Sequence, residues 1–301
     1  MFTINLYILL TLSIILAISN NLLLHGFANR GLRGLGDVLL YNALVSCVWI
    51  ALLLPMSGIF TDGISTAALL WGILYGSVTA LFLLSKMQAM ASGPVSITSF
   101  IGCSSLLVST AVGVIVFHET VTVLQMIGVV LLIAALFLSV SPKSSQSKKS
   151  WKFWCALFFL CSGSTGIIFK LHQASDVADE IGTMMLAAAV TSAALFALSS
   201  VLISKKTCGG LPRVPRRALL FALACGIVSC GYNRLNITVS GQLPSIVFFP
   251  MFNGAVILGA SLLAAIIFRE KLSRGQRSGM LLGIVSLLLA SGSVDGILKI
   301  F

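Results

Sequence analysis

The sequence reads as an all-α integral membrane protein of ten transmembrane helices, arranged as two inverted five-helix repeats. Three observations predict this. Of the 301 residues, 58% are hydrophobic and only 9% are charged. A soluble domain carries about 25% charged residues, so most of this apolar surface must face lipid. Long charge-free runs recur along the chain. The second half also repeats a spaced motif of the first.

The elements follow in order. A spanning helix needs about 20 mostly apolar residues, and the charge-free runs place ten such cores at 6–24, 38–54, 67–88, 95–117, 122–140, 153–171, 182–203, 217–236, 245–268 and 276–293. The opening run, Met1 to Asn29, lacks a basic leader and a small-x-small cleavage pattern, so it reads as a retained helix rather than a secretory signal. Two runs exceed one span, Met87–His118 and Leu235–Phe268. Gly93-Pro94 breaks the first near its start, and Gly241 with Pro244 breaks the second, so each holds the tail of one helix, a turn and a full span. Segments such as Val129 to Leu138 are apolar on every face, whereas barrel strands alternate. In lipid, a helix satisfies such a backbone within one segment.

Phe117-His118-Glu119 with Thr122, Gln125 and Gly128 reappears as Phe268-Arg269-Glu270 with Ser273, Gln276 and Gly279, shifted by 151 residues. Lys86, Ser92 and Gly93 match Arg234, Ser240 and Gly241 with a shift of 148. Thr122-x-x-Gln125 and Ser273-x-x-Gln276 are capping-box patterns opening the fifth and tenth helices. Glu119 and Glu270 precede those helices, where the dipole favours a carboxylate, so their expected role is structural rather than catalytic. Five spans per repeat return the chain to the opposite face, so the second half inserts upside down. Inverted repeats with a site at their interface are a transporter architecture. The expected division is residues 1–140, a polar linker at 141–151 and residues 152–301.

This pattern resembles the drug/metabolite transporter superfamily and, within it, the EamA-like transporters. The likeness rests on the helix count, the five-plus-five repeat and the Glu-then-Gly pairs Glu119/Gly128 and Glu270/Gly279. It also rests on Ala91-Ser92-Gly93-Pro94-Val95-Ser96 and Ser240-Gly241-Gln242-Leu243-Pro244-Ser245. The resemblance implies a secondary carrier or exporter of metabolites in a cell (inner) membrane, and leaves the substrate open.

Fifteen Lys and Arg, from Arg30 to Arg277, fall on the odd-numbered loops, against Lys170 and Lys299 on the other face. The positive-inside rule then puts both termini outside, whereas the family resemblance implies termini inside. Loops this short and scattered are a topology signal with attraction to anionic lipid, not a nucleic-acid surface.

Lys86 and Arg234, near the ends of the third and eighth helices, are the charges expected to mark function. Either they snorkel to headgroups, or they face the cavity between the repeats and attract an anionic group. Gln88, Tyr232, Asn233, Asn236, Asn253 and His25 complete the candidate substrate site. All eight Asp and Glu lie at span ends or in loops, so an anionic or zwitterionic substrate is expected over a lipophilic cation. No metal-ligand cluster is expected: seven Cys form no CxxC pair, and His25, His118 and His172 have no HxxxH setting. No GxxxxGK[ST] loop is present, so no nucleotide cofactor is expected to drive transport. The alternatives are a membrane-embedded lipid-modifying enzyme, for which convergent catalytic groups are lacking, and a non-catalytic membrane subunit or channel. The oligomeric state stays open.

Overall fold

The computed structural model describes residues 2–28, 34–57, 65–93, 98, 101–102, 104–139, 149–208, 211–267 and 274–290. Among these the regular structure is helical throughout. The helices are α1 (Phe2–Ala28), α2 (Leu35–Leu53), α3 (Thr66–Ser92), α4 (Leu106–Val116), α5 (Val123–Ser139), α6 (Trp151–Gln173), α7 (Ile181–Cys208) and α8 (Arg216–Gln242). They continue with α9 (Ser245–Phe249), α10 (Ala255–Ile267) and α11 (Arg274–Ala290). A 3₁₀ turn, Leu54–Met56, closes α2. A π-helical turn, Pro250–Gly254, joins α9 to α10 into one continuous helical stretch.

Six stretches are long and apolar enough to cross a membrane: Leu6–Leu24, Leu35–Met56, Thr66–Ser92, Trp151–Gln173, Ile181–Lys206 and Arg216–Gln242. Where the fourth, fifth, ninth and tenth spans are expected, the described apolar helices are shorter than those six. Apolar side chains cover the outside: Leu220 is 73% exposed, Ile115 71% and Leu281 69%. Contiguous outward apolar faces of this kind mark a membrane protein rather than a soluble one.

Local chemistry sets the boundaries. Ser65 Oγ accepts the Ala68 N–H and caps α3. Before α5, the Thr122 N–H donates to Gln125 Oε1 (3.0 Å) and the Gln125 N–H donates to Thr122 Oγ1 (3.2 Å), the reciprocal pair expected there. The matching Ser273 and Glu270 lie outside the described residues. α4 stops at His118, whose φ of 52° turns the chain so that the Glu119 N–H reaches the Gly113 carbonyl. Pro250 lacks an N–H and cannot continue the α9 hydrogen-bond ladder, and the widened turn absorbs the defect.

Helix directions follow from the packed pairs. Gly72 lies against Met184 and Gly76 against Ala188, so α3 and α7 run parallel. Phe82 packs on Phe158, Tyr75 on Phe169 and Trp71 on His172, so α3 and α6 run antiparallel. Gly36 meets Ser200 and Ser204 while Ser46 bonds Ser192, so α2 opposes α7. Tyr41 clusters with Ala218 and Ala222, and Trp49 bonds Ser229, so α2 and α8 run together. The closest packings are α5 on α11, α2 on α7, α3 on α7, α2 on α8, α1 on α8 and α3 on α6. α1 also packs on α10, α4 on α6 and α4 on α9.

These directions sort the charges. The end of the bundle where α3 finishes gathers Lys152, Lys205, Lys206, Arg213, Arg216 and Arg217. There the Arg213 N–H donates to Asp37 Oδ1 across loops (3.0 Å). The opposite end holds Glu119, Lys170, Asp176, Asp179 and Glu180.

Candidate functional site

A cavity of about 550 Å³ lies among helices of both halves. α3 contributes Tyr75, Thr79, Phe82, Lys86 and Met90, a stripe at helical spacing. At 1.5 Å per residue the cavity extends about 22 Å along α3, ending about 3 Å short of its last residue, Ser92. α8 supplies Cys225, Ser229, Tyr232, Asn233 and Asn236, and α2 supplies Tyr41, Asn42, Ser46 and Trp49. α1, α4, α6, α7 and the α9–α10 stretch complete the wall. α5 and α11 contribute none of the lining residues.

The inner end is closed by a bond between the halves: Tyr75 OH donates to Asn233 Oδ1 (3.0 Å), and Phe169 packs on the Tyr75 ring (4.8 Å). Beyond it, at the bundle end away from the basic loops, stands a polar cluster. Glu119 Oε2 accepts the Ser245 N–H (2.6 Å), and Glu119 Oε1 accepts Ser245 Oγ (3.2 Å) and pairs with Lys170. Lys170 is 9% exposed and lies over the Phe117 ring (5.5 Å). The carboxylate therefore serves the first turn of α9, not of α5, whose opening donors the Thr122–Gln125 box already engages. Glu119 thus contacts α6 and α9 rather than the start of α5, on which its expected role rests, and it joins the two halves.

Several polar side chains of the lining turn their hydrogens away from the cavity, while Thr79 Oγ1 is buried with no hydrogen-bond partner. Ser109 Oγ donates to the Gly163 carbonyl (2.8 Å), Thr165 Oγ1 to the Ser162 carbonyl (2.7 Å) and Ser192 Oγ to the Ala189 carbonyl (3.2 Å). Trp49 Nε1 donates to Ser229 Oγ (2.8 Å), and Ser229 Oγ to the Gly226 carbonyl (3.3 Å). Four asparagines use their Nδ2 on the carbonyl one turn back: Asn21 on Ala17, Asn42 on Val38, Asn233 on Ser229 and Asn253 on Phe249. A carbonyl can only accept, so in each of these amides the oxygen is the atom turned away from it. Such back-bonding is how hydroxyl and amide side chains are accommodated on a helix without a free donor. Asn20 Oδ1 and Asn236 Oδ1 are buried with no hydrogen-bond partner.

Among the described residues Lys86 is the one charged side chain lining the cavity, and its Nζ sits 5.9 Å from the Phe82 ring centre. Of the residues singled out from sequence, Lys86, Tyr232, Asn233, Asn236 and Asn253 line the cavity together. Arg234 does not: it follows Asn233 by one position, which turns it about 100° around α8. Its Nη1 is buried without a hydrogen-bond partner. Gln88 is also outside the lining, and the His25 side chain lies outside the described residues. Sequence reasoning missed Asn42, Ser46 and Trp49 on α2. Their spacing of four and three residues was a readable polar stripe in an otherwise apolar span. Among the described residues no group of three or more His, Cys, Asp or Glu side chains could hold a metal.

No family model matches the chain, and no curated protein matches it. It is similar to a solved structure described as "Crystal structure of protein", with a TM-score of 0.75 and 13% identity. The match covers 97% of this chain and 98% of that one. At this identity the likeness shows the fold alone: the whole helical arrangement, from first helix to last, is one that another protein also adopts.

Proposed function

We propose that this protein is a secondary transporter of a small anionic or zwitterionic metabolite, an exporter or exchanger, built as two inverted five-helix repeats of the EamA-like kind. The observation that carries the reading is the cavity. It lies between the halves, holds a lysine and six asparagines in an otherwise apolar bundle, and ends at a seal made by residues from both halves. Polar groups at membrane depth are costly and mark substrate pathways.

The packing supports the inverted repeat. If each helix of the first half is exchanged with its counterpart in the second, α3 on α7 becomes α8 on α2, and α1 on α8 becomes α6 on α3. α1 on α10 becomes α6 on α4, while α2 on α7, α4 on α9 and α5 on α11 return themselves. Most of the pairs occur together, as two upside-down copies meeting face to face would give, although α6 on α8 has no matching α1–α3 packing. With the basic end of the bundle inside, the cavity reaches toward the cytoplasm and the Glu119–Lys170–Ser245 cluster closes the outer side.

The test is counterflow. The purified chain in liposomes preloaded with amino acids, organic acids or short peptides should accumulate a labelled counterpart of at least one of them. Lys86→Gln should cut that flux by about tenfold, the effect of losing a charged hydrogen-bond donor. No flux for any class, with correctly folded protein, would refute the reading.

A further inference from the structure

The geometry points to a planar aromatic ring as the part of the ligand that this cavity recognises, held among Trp49 of one half and Tyr232 and Phe252 of the other. The inference deepens the transporter reading by naming the substrate class. It needs that reading only for the claim that the bound molecule is carried.

The first ground is where the rings are. Among the described residues eleven aromatic side chains line the cavity, against seven Leu, Ile, Val and Met. Of the exposed large apolar side chains, three are aromatic and thirty-six are Leu, Ile, Val or Met. A lipid tail and an aliphatic ligand present the same chemistry. A cavity made for an aliphatic chain would therefore resemble the outer surface, and this one does not.

The second ground is uncovered ring surface. Interior packing alone accounts for Phe158, Phe169, Phe196 and Phe249, each 3–6% exposed. It does not account for Trp49, Phe82, Tyr232 and Phe252, which line the cavity and are only half-buried. Apolar surface left against water gains by being covered. Another ring covers it best, because aromatic pairs at centroid separations of about 4.5–7 Å gain beyond the area they bury.

The third ground is that the rings are fixed in advance and brought together. Trp49 Nε1 donates to Ser229 Oγ (2.8 Å), which anchors the indole. Tyr232 follows Ser229 by three positions and is its neighbour on α8. The Tyr232 ring lies 6.3 Å from Phe252, and Phe248 backs Phe252 at 6.0 Å, parallel to within 9°. Phe82, 5.3 Å from Phe158, stands about two turns along α3 from the Tyr75 seal. Side chains already held lose little freedom on binding. A ring among Trp49, Tyr232 and Phe252 touches both halves at once.

Three matched pairs would be titrated into the chain in nanodiscs by calorimetry. They are 3-phenylpropanoate and 3-cyclohexylpropanoate, phenylalanine and cyclohexylalanine, and 3-phenylpropylamine and 3-cyclohexylpropylamine, with glucose 6-phosphate as a saccharide that also lies flat on rings. Within a pair the charge and reach are equal and the cyclohexyl member is the more apolar, so area burial alone favours it. The expected result is the reverse: in each pair that binds, the phenyl member binds at least about threefold tighter, the gain of ring-on-ring contact. Phe252→Leu and Tyr232→Leu should each remove most of that preference. Phe153→Leu, whose ring is 63% exposed outside the cavity, should leave it. Equal or tighter binding of the cyclohexyl members, no binding by any pair, tighter binding of glucose 6-phosphate, or a preference untouched by both cavity variants would overturn the inference. Should those variants fail to fold, the pairs on the parent chain decide. Counterflow of aliphatic or saccharide solutes with no phenyl preference sinks this inference alone. A phenyl preference with no counterflow of any solute sinks the transporter reading and leaves the site.

Discussion

At the scale of single residues, the most consequential group is Glu119. It holds the buried Lys170 and the N-terminal turn of α9 at once. Glu119→Gln keeps an acceptor for Ser245 but leaves Lys170 buried without a counter-charge. The expected cost is about 3–5 kcal/mol, read as a lowered melting temperature of the detergent-purified protein. Adding Lys170→Met should return most of it, since an apolar side chain of similar length needs no partner. A single variant as stable as the parent would show that the pair contributes nothing. The sequence made part of this readable. The Thr122–Gln125 cap was visible because both partners lie within one turn, and local hydrogen bonds follow from local spacing. The pairing of Glu119 with Ser245, 126 residues away, was not visible, because nothing in either neighbourhood names the other. The same limit applied to the asparagines. Their presence in spans could be read, but which of their atoms face the cavity depends on the carbonyl one turn back.

At the scale of elements, small residues let the halves come close. A Cβ on Gly76 would stand 2.5 Å from the Ala188 carbonyl oxygen, and one on Gly72 would stand 2.4 Å from that of Met184. Backbone cannot yield as a flexible side chain does, so Gly76→Val should force α3 from α7. The expected loss is about 1–3 kcal/mol, visible as earlier thermal aggregation, whereas Gly34→Val, with open space around it, should be neutral. Helices were the most readable level, because a charge-free run of span length admits one solution in lipid. The long spans at Thr66–Ser92 and Arg216–Gln242 fall where those runs predict. The turn at Pro250–Gly254 was less readable: a proline forbids a regular ladder, but the way the chain repairs it depends on what packs around it. Arg234 shows the same limit from the other side. Its match to Lys86 in the repeat predicts equal placement, yet α8 presents Asn233 and Asn236 to the cavity and turns Arg234 aside.

At the scale of the whole molecule, the charges divide by bundle end, with six described Lys and Arg from Lys152 to Arg217 at one and the acidic Asp176, Asp179 and Glu180 at the other. In a cysteine-free background, Arg216→Cys should be shielded from an impermeant thiol reagent added outside cells, while the exposed Asp179→Cys should react. The reverse labelling would place both termini inside. One further consequence belongs to the α5–α11 pair, which packs more extensively than any other two helices yet supplies nothing to the cavity. Gly128 sits directly on the backbone of Ala290 there, leaving no slack between the two axes. If the halves move against each other, this seam is the fulcrum, and the cavity and its far-side seal are the lever arms. A covalent staple across the fulcrum should then be harmless to turnover, while one joining residue 119 to residue 245 should arrest it.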